Sequence, residues 1–242
     1  MKIRRHGILA LTLLAACSTT IAEAQTLPTT YVAEYSASYK GRDVGTSIFS
    51  LRAGDMPNQM TYSSEARIKG LLRILSPNLI VDRSEFKLDG SRIVPTSFLH
   101  EDGTRSGDDN HTITFDWAAG KARIDGEDGR LEIDISNGTL DRASLQVALM
   151  LDLSRGVQPR RYDVVDEDSL KTYEYEYRGT RTVTTGIGAI ETVTYTQTRE
   201  GSSRSMTIDF APSLGYVPVR IEQVRDGESQ SEFLLQSIDT HP

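Results

Sequence analysis

The chain has 242 residues, of which 38% are hydrophobic and 25% are charged, and its formal net charge is −7 at pH 7. This length is enough for one domain with a substantial hydrophobic core. The negative charge argues against a nucleic-acid partner, which needs a basic surface. Cys17 is the only cysteine of the sequence, so an intramolecular disulfide is excluded.

Residues 1–24 have the layout of an export signal. Basic residues precede an apolar run at residues 7–16, which is too short to cross a bilayer. The sequence Ala-Glu-Ala before Gln25 predicts cleavage by an ordinary signal peptidase. The sequence Leu-Ala-Ala-Cys ending at Cys17 instead resembles a lipobox, in which Cys17 is acylated. Both alternatives predict a periplasmic protein without a transmembrane span in its mature chain, and the second adds a lipid anchor at the outer membrane.

Most of the remaining chain alternates apolar and polar residues with the period of two that is typical of β-strands. In residues 31–39, tyrosines and alanines fall on one face, while glutamate and serines fall on the other. Similar segments recur up to residue 238, separated by turns rich in Gly, Asp and Asn, and they predict an antiparallel meander of about a dozen strands. No Pro-rich or Ser-rich linker interrupts residues 25–242, so we predict a single β-rich domain.

Residues 139–156 form the one convincing helix of the sequence. Thr139 or Asp141 can cap its start, and Gly156 can end it in the left-handed conformation. Residues 147–151 are all apolar, which is typical of a helix that is buried on every side. We therefore predict a mainly β fold, in which a curved antiparallel sheet, or a half-open barrel or sandwich, packs around this central helix.

An apolar segment at residues 70–75, reading GLLRIL, interrupts the strand pattern. One interpretation is a turn that caps the end of the core, and the other is a mobile flap over a cavity mouth. Tyrosines at inward positions of the strands are likewise interpreted either as core packing or as the lining of a cavity for an amphiphile. The predicted ligand-binding residues are Tyr35, Tyr39, Leu72, Leu75, Tyr173 and Tyr175.

The acidic loop at residues 101–110 is flanked by His100 and His111. If the flanking strands form a hairpin, the two imidazoles face each other and can bind a metal with a nearby carboxylate. The acids follow neither a recognised ligand spacing nor a calcium-loop pattern, so a solvated loop is the favoured interpretation and no cofactor is predicted. We find no nucleophile motif and predict no catalytic residue.

Three segments together resemble the DUF3108 family of exported bacterial proteins. They are YVAEYSASYKGRDVGTSIFSL at residues 31–51, the helix with Asp141, and FAPSLGYVPVRIEQVRDG at residues 210–227; the segment TGIGAIETVTY at residues 185–195 also fits. The resemblance covers residues 31–238 and implies no established activity, cofactor or catalytic residue. The expected architecture is also similar to that of periplasmic lipoprotein carriers with half-barrel folds, although a shared fold does not imply a shared function.

Two functional hypotheses follow. The chain is either an envelope protein that binds a hydrophobic or lipid-like ligand inside the sheet, or a structural envelope protein that contacts other proteins through its sheet edges. We favour the first, because apolar and aromatic residues dominate the inward positions. A hydrolase that acts on an envelope polymer is the minor alternative, since no feature of the sequence selects a catalytic pair of carboxylates.

Overall fold

The computed structural model describes residues 30–74 and 76–240. The predictions for the export signal at residues 1–24, for Cys17, for Leu75 and for the side chain of Leu72 lie outside this description. The described residues contain fourteen β-strands, one α-helix and two short 3-10 helices. All fourteen strands belong to one antiparallel sheet, which confirms the predicted mainly β fold.

The strands follow one another as short hairpins along most of the chain. Their bounds are β1 Tyr31–Tyr39, β2 Arg42–Ala53, β3 Gln59–Ile68, β4 Ile80–Asp89, β5 Arg92–Glu101, β6 His111–Asp116, β7 Lys121–Gly126, β8 Gly129–Asp134, β9 Arg161–Val165, β10 Leu170–Thr185, β11 Gly188–Thr198, β12 Arg204–Ala211, β13 Val217–Arg225 and β14 Glu228–Asp239. The order in the sheet is β8-β7-β6-β5-β4-β3-β2-β1-β14-β13-β12-β11-β10-β9. The first and last strands therefore pair in the middle of the sheet, and β8 and β9 form its two edges.

Helix α1, Arg142–Ser154, connects these two edge strands. Asp141 caps it: its carboxylate accepts hydrogen bonds from the backbone N–H groups of Ala143 and Ser144 at 2.9 and 2.8 Å. Gly156 follows the last turn with φ +73°, a conformation that glycine adopts without strain. The predicted cap and stop are thus confirmed, with helix ends a few residues inside the predicted range.

The sheet curls around α1 into a nearly closed barrel. The helix packs against β3, β4 and β5 in one half of the sheet and against the edge strand β9 in the other. Leu140, just before the helix, forms a parallel bridge with Val164 of β9, through hydrogen bonds of 2.9 and 2.8 Å on either side. Nine of the thirteen helical residues are buried, so α1 is the buried central helix that its apolar sequence predicts.

Candidate ligand cavity

A cavity of about 730 Å³ lies between α1 and the inner face of the sheet. Its walls are mainly apolar and come from the helix and from both halves of the sheet. Prominent among them are Phe49, Leu145, Leu149, Ile208, Ile221 and Phe233. Because inward side chains alternate with outward ones along each strand, the period of two in the sequence produces this apolar interior.

The cavity opens at one end of the barrel, where β1 and β3 end and β2 and β4 begin. Tyr39, Val44, Ile68 and Ile80 line the cavity from these strand ends, and all four are at least partly exposed. We call this end the mouth. The connection between β3 and β4, which contains the apolar segment of the sequence, borders it directly.

The structure places the predicted ligand-binding tyrosines in two groups. Tyr39, Tyr173 and Tyr175 line the cavity. Tyr35 is fully buried beside the cavity lining: its hydroxyl donates to the Pro218 carbonyl at 2.6 Å, and its ring packs 4.5 Å from that of Phe49. Tyr35 therefore serves the core rather than the cavity wall, because its hydroxyl is already satisfied by the backbone of β13.

Tyr175 presents a polar group inside the largely apolar cavity. Its hydroxyl donates to Oε1 of Gln197, another lining residue, at 3.0 Å. Burial raises the pKa of Tyr175 well above its ordinary value, so the phenol stays protonated and keeps this donor.

The apolar segment forms a 3-10 helix, Gly70–Ile74, at the mouth. Leu71 and Ile74 are 86% and 68% exposed, so these two side chains do not cap the core. The segment is tied to the neighbouring hairpin, because the Lys69 N–H donates to the Val44 carbonyl at 2.8 Å. The interpretation as a capping turn is thus wrong for Leu71 and Ile74, whose side chains extend into solvent beside the mouth.

Two polar residues of α1 form a polar wall that the sequence analysis missed. Arg142 and Gln146 both line the cavity, and their spacing of four residues places them on the same face of the helix. Nε of Arg142 and Nε2 of Gln146 are buried and have no hydrogen-bond acceptor among the described residues. Arg142 and Gln146, two long polar residues four apart and followed by the apolar residues 147–151, were the signal that could have identified this wall.

The charge of Arg142 is balanced by two carboxylates. Its Nη2 donates to Oδ1 of Asp82 at 2.9 Å, and its Nη1 lies 3.6 Å from Oδ1 of Asp166. Burial works against ionisation of Asp166, but Arg142 and Lys171 outweigh it and hold the pKa of that carboxyl below its usual value. The polar wall therefore offers hydrogen-bond donors with little uncompensated positive charge.

Asp141 fixes the start of the helix and with it the position of Arg142. Ser84 of β4 donates to its second carboxylate oxygen at 2.7 Å, which ties the cap to the sheet. Burial raises the pKa of Asp141 to about 6, although the hydrogen bonds from Ser144 and Ser84 oppose the shift. The carboxyl group is fully buried and unavailable to a ligand, so we assign it a structural role.

The two candidate metal ligands are brought together as the hairpin prediction implies. His100 and His111 are cross-strand partners in β5 and β6, with ring centroids 5.2 Å apart. Nδ1 of His100 lies 2.7 Å from Oδ1 of Asp82, and Nδ1 of His111 donates to the Asp109 carbonyl at 2.9 Å. Within residues 30–74 and 76–240, no three His, Cys, Asp or Glu residues are grouped so as to hold a metal ion.

Within the described residues, every helix is too short or too polar to cross a bilayer.

The fold of this chain is similar to that of a solved structure. The β-barrel-like protein of family DUF1849 from Brucella abortus has a TM-score of 0.53 at 8% identity, over 87% of this chain and 97% of that one. A Bacteroides fragilis protein described as exported, with a YmcC-like fold, scores 0.37 at 12% identity over 88% and 96% of the two chains. The MucA/MucB complex of Pseudomonas aeruginosa scores 0.33 at 10% identity, over 87% of this chain and 51% of that one.

At 8% sequence identity, the Brucella abortus structure supports the fold of this chain but says nothing about its function. No curated protein matches the chain. The family described as "Protein of unknown function (DUF3108)" matches residues 34–233, which is most of the sequence. The chain therefore belongs to the DUF3108 family.

Proposed function

We propose that this is a non-enzymatic protein of the bacterial cell envelope that holds a hydrophobic or lipid-like ligand inside its barrel. The observation that carries the proposal is the apolar cavity of about 730 Å³ between α1 and the sheet. Small-molecule sites typically measure about 300–1,000 Å³ and are lined mainly by apolar and aromatic side chains. The export signal predicted at residues 1–24 supports a location in the periplasm, with or without a lipid anchor at Cys17.

The polar wall favours an amphiphile over a pure hydrocarbon. A buried donor without an acceptor costs about 1–3 kcal/mol, and Arg142 and Gln146 each carry one. A ligand oxygen near this wall removes that cost. Because Asp82 and Asp166 already balance the charge of Arg142, a neutral ester or amide oxygen suits the wall better than a carboxylate. A monoacylglycerol has this chemistry.

The scaffold alternative depends on the two edge strands. β8 is exposed along most of its length but carries Arg130, Glu132 and Asp134, and charged side chains on an edge disfavour pairing with another strand.

The hydrolase alternative would need free carboxylates in the cavity. Asp82 is bound to Arg142 and His100, while Asp102 accepts hydrogen bonds from Thr104. Both carboxylates of the cavity lining are therefore already engaged, which does not favour a hydrolase.

Filling part of the cavity should weaken ligand binding. Ala66 of β3 lines the cavity near the mouth, so Ala66→Trp places an indole in the space that the ligand needs. We expect the affinity for a fluorescent monoacylglycerol, measured by titration, to fall at least about tenfold, because part of the apolar contact area is lost.

The matched control is Ile48→Trp in the neighbouring strand β2. Ile48 is 45% exposed and is not part of the cavity lining, so this variant adds the same indole elsewhere and should bind like the wild type. Circular dichroism checks that both variants fold. The proposal fails if the wild type does not take up the probe, or if folded Ala66→Trp binds it with unchanged affinity.

A further inference from the structure

Two connected stretches form one side of the mouth. They are residues 40–43, which form the turn after β1 and the start of β2, and residues 67–74, which comprise the end of β3 and the 3-10 helix that follows it. The backbone hydrogen bond from Lys69 to Val44 joins them, and the Lys69 ammonium forms an ion pair with Asp43. We call their combined surface the mouth patch.

The mouth patch carries the two most exposed large aliphatic side chains of the described residues. Leu71 is 86% exposed and Ile74 is 68% exposed, and both lie on the same short 3-10 helix. The next most exposed, Met56 at 55%, lies at the opposite end of the barrel in the turn between β2 and β3. Large aliphatic groups that project together into water mark a surface that is covered by something else.

The charge of the mouth patch is opposite in sign to that of the chain. The basic residues of the two stretches are Lys40, Arg42, Arg67, Lys69 and Arg73, and Asp43 is the only acidic one. The whole chain has a net charge of −7. A basic surface with projecting aliphatic groups is complementary to an anionic lipid bilayer, whose head groups attract Lys and Arg while its interface accepts apolar side chains.

We propose that the mouth patch docks the protein on an anionic lipid bilayer. Leu71 and Ile74 enter the interface, and the surrounding basic side chains contact phosphate head groups. The proposal rests on the proposed function, since docking here places the cavity mouth against the membrane from which the amphiphile is exchanged.

A bilayer suits this patch better than a folded protein partner does. A specific protein interface buries about 800 Å² on each side and needs a complementary surface, whereas binding to a lipid interface depends on buried apolar area together with attraction to anionic lipid, and the mouth patch offers both. The loop at residues 102–110 borders the β3–β4 connection on the side away from the β1–β2 turn, through the hydrogen bond from the Asn78 N–H to the Gly103 carbonyl at 3.0 Å, and its charged residues are Asp102, Arg105, Asp108 and Asp109. Repulsion of this loop by anionic lipid tilts the protein so that the mouth patch makes the contact.

Vesicle flotation tests the docking. The protein is purified with Cys17→Ser, which removes the candidate acylation site, and mixed with phosphatidylglycerol-containing or pure phosphatidylcholine vesicles. We expect binding to the anionic vesicles alone, with affinity that falls as salt is added. Arg73→Gln should weaken it about fivefold, the effect of one basic residue near an anionic surface. The double variant Leu71→Ser/Ile74→Ser should lose flotation, because it cannot insert.

Matched controls lie at the opposite end of the barrel. Met56→Ser removes an exposed apolar side chain there, and Arg52→Gln removes an exposed positive charge near the end of β2, so both should float like the wild type. Equal flotation with both vesicle types, unchanged flotation of the patch variants, or a requirement for an added protein would each overturn the proposal.

Solution binding of the fluorescent monoacylglycerol separates docking from ligand binding. The patch variants should bind the probe with wild-type affinity when no vesicles are present, and loss of this binding would show that the substitutions act on the cavity instead. If the wild type floats with anionic vesicles yet never binds the probe, docking stands and the proposed function fails.

Discussion

Replacing Asp209 with alanine is expected to lower the free energy of unfolding by about 3 kcal/mol. The side chain is fully buried in β12, and its carboxylate accepts hydrogen bonds from Nε of Arg181 at 2.6 Å, from Nη2 of the same residue and from Thr194 Oγ1 at 2.7 Å. Arg220 of β13 lies 3.8 Å away. Removing the carboxylate leaves these donors of three strands without their common acceptor, and urea unfolding measures the loss.

Asp125→Ala is the control for this effect. Asp125 accepts a hydrogen bond from Nε of Arg130 at 2.7 Å, but both side chains are largely exposed, at 41% and 65%. Exposed ion pairs contribute about 0–1 kcal/mol, so this variant should remain close to the wild type. Equal losses in the two variants would show that burial of Asp209 does not determine its contribution.

Truncating either of two helical leucines should destabilise the protein by about 2–5 kcal/mol. Leu149 is 1% exposed and Leu151 is 3% exposed. Residues two apart on a helix point in nearly opposite directions, about 200° around the axis. Both can be buried only if the barrel encloses α1 on opposite sides. Leu149→Ala and Leu151→Ala therefore test the enclosure of the helix independently of each other.

Val157→Ala serves as the reference for these two variants. Val157 follows the helix and is 50% exposed, so its truncation should change the free energy of unfolding by less than about 0.5 kcal/mol. Melting temperatures of Leu149→Ala and Leu151→Ala within a degree or two of the wild type would contradict a buried central helix.

Local patterns were sufficient to predict the sheet and the helix. The alternation in residues 31–39 requires one buried face, and β1 buries its tyrosines and alanines at alternating positions up to Ala37. The cap at Asp141 and the stop at Gly156 depend on backbone chemistry within a few residues, which a sequence displays directly. These elements were predictable because the interactions that define them are short in range.

Which inward residues line the cavity depends on distances between strands, and the alternation of apolar and polar residues in the sequence does not specify those distances. Tyr35 and Tyr175 both lie at inward positions of their strands, yet only Tyr175 lines the cavity, because Tyr35 reaches the backbone of β13. Tyr177 continues the same alternation but is 46% exposed, next to the register shift between Tyr177 and Gly179. The period of two gives the direction of a side chain, whereas the curvature of the sheet decides what the side chain meets.

The polar wall was missed for a related reason. Arg142 and Gln146 look like the solvated side of a helix until the barrel encloses that side. The ion pairs of Arg142 with Asp82 and Asp166 join residues far apart in the sequence, so no local motif predicts them.

Native mass spectrometry of the protein purified from its own cell envelope shows whether the barrel holds an amphiphile in the cell. We expect a mass excess over the bare chain that matches a neutral lipid with an ester or amide group, and we expect this excess to be absent from Ala66→Trp. A wild-type chain of bare mass under gentle desolvation would argue against a ligand bound in the barrel. An adduct of equal occupancy in folded Ala66→Trp would show that the lipid binds outside the cavity.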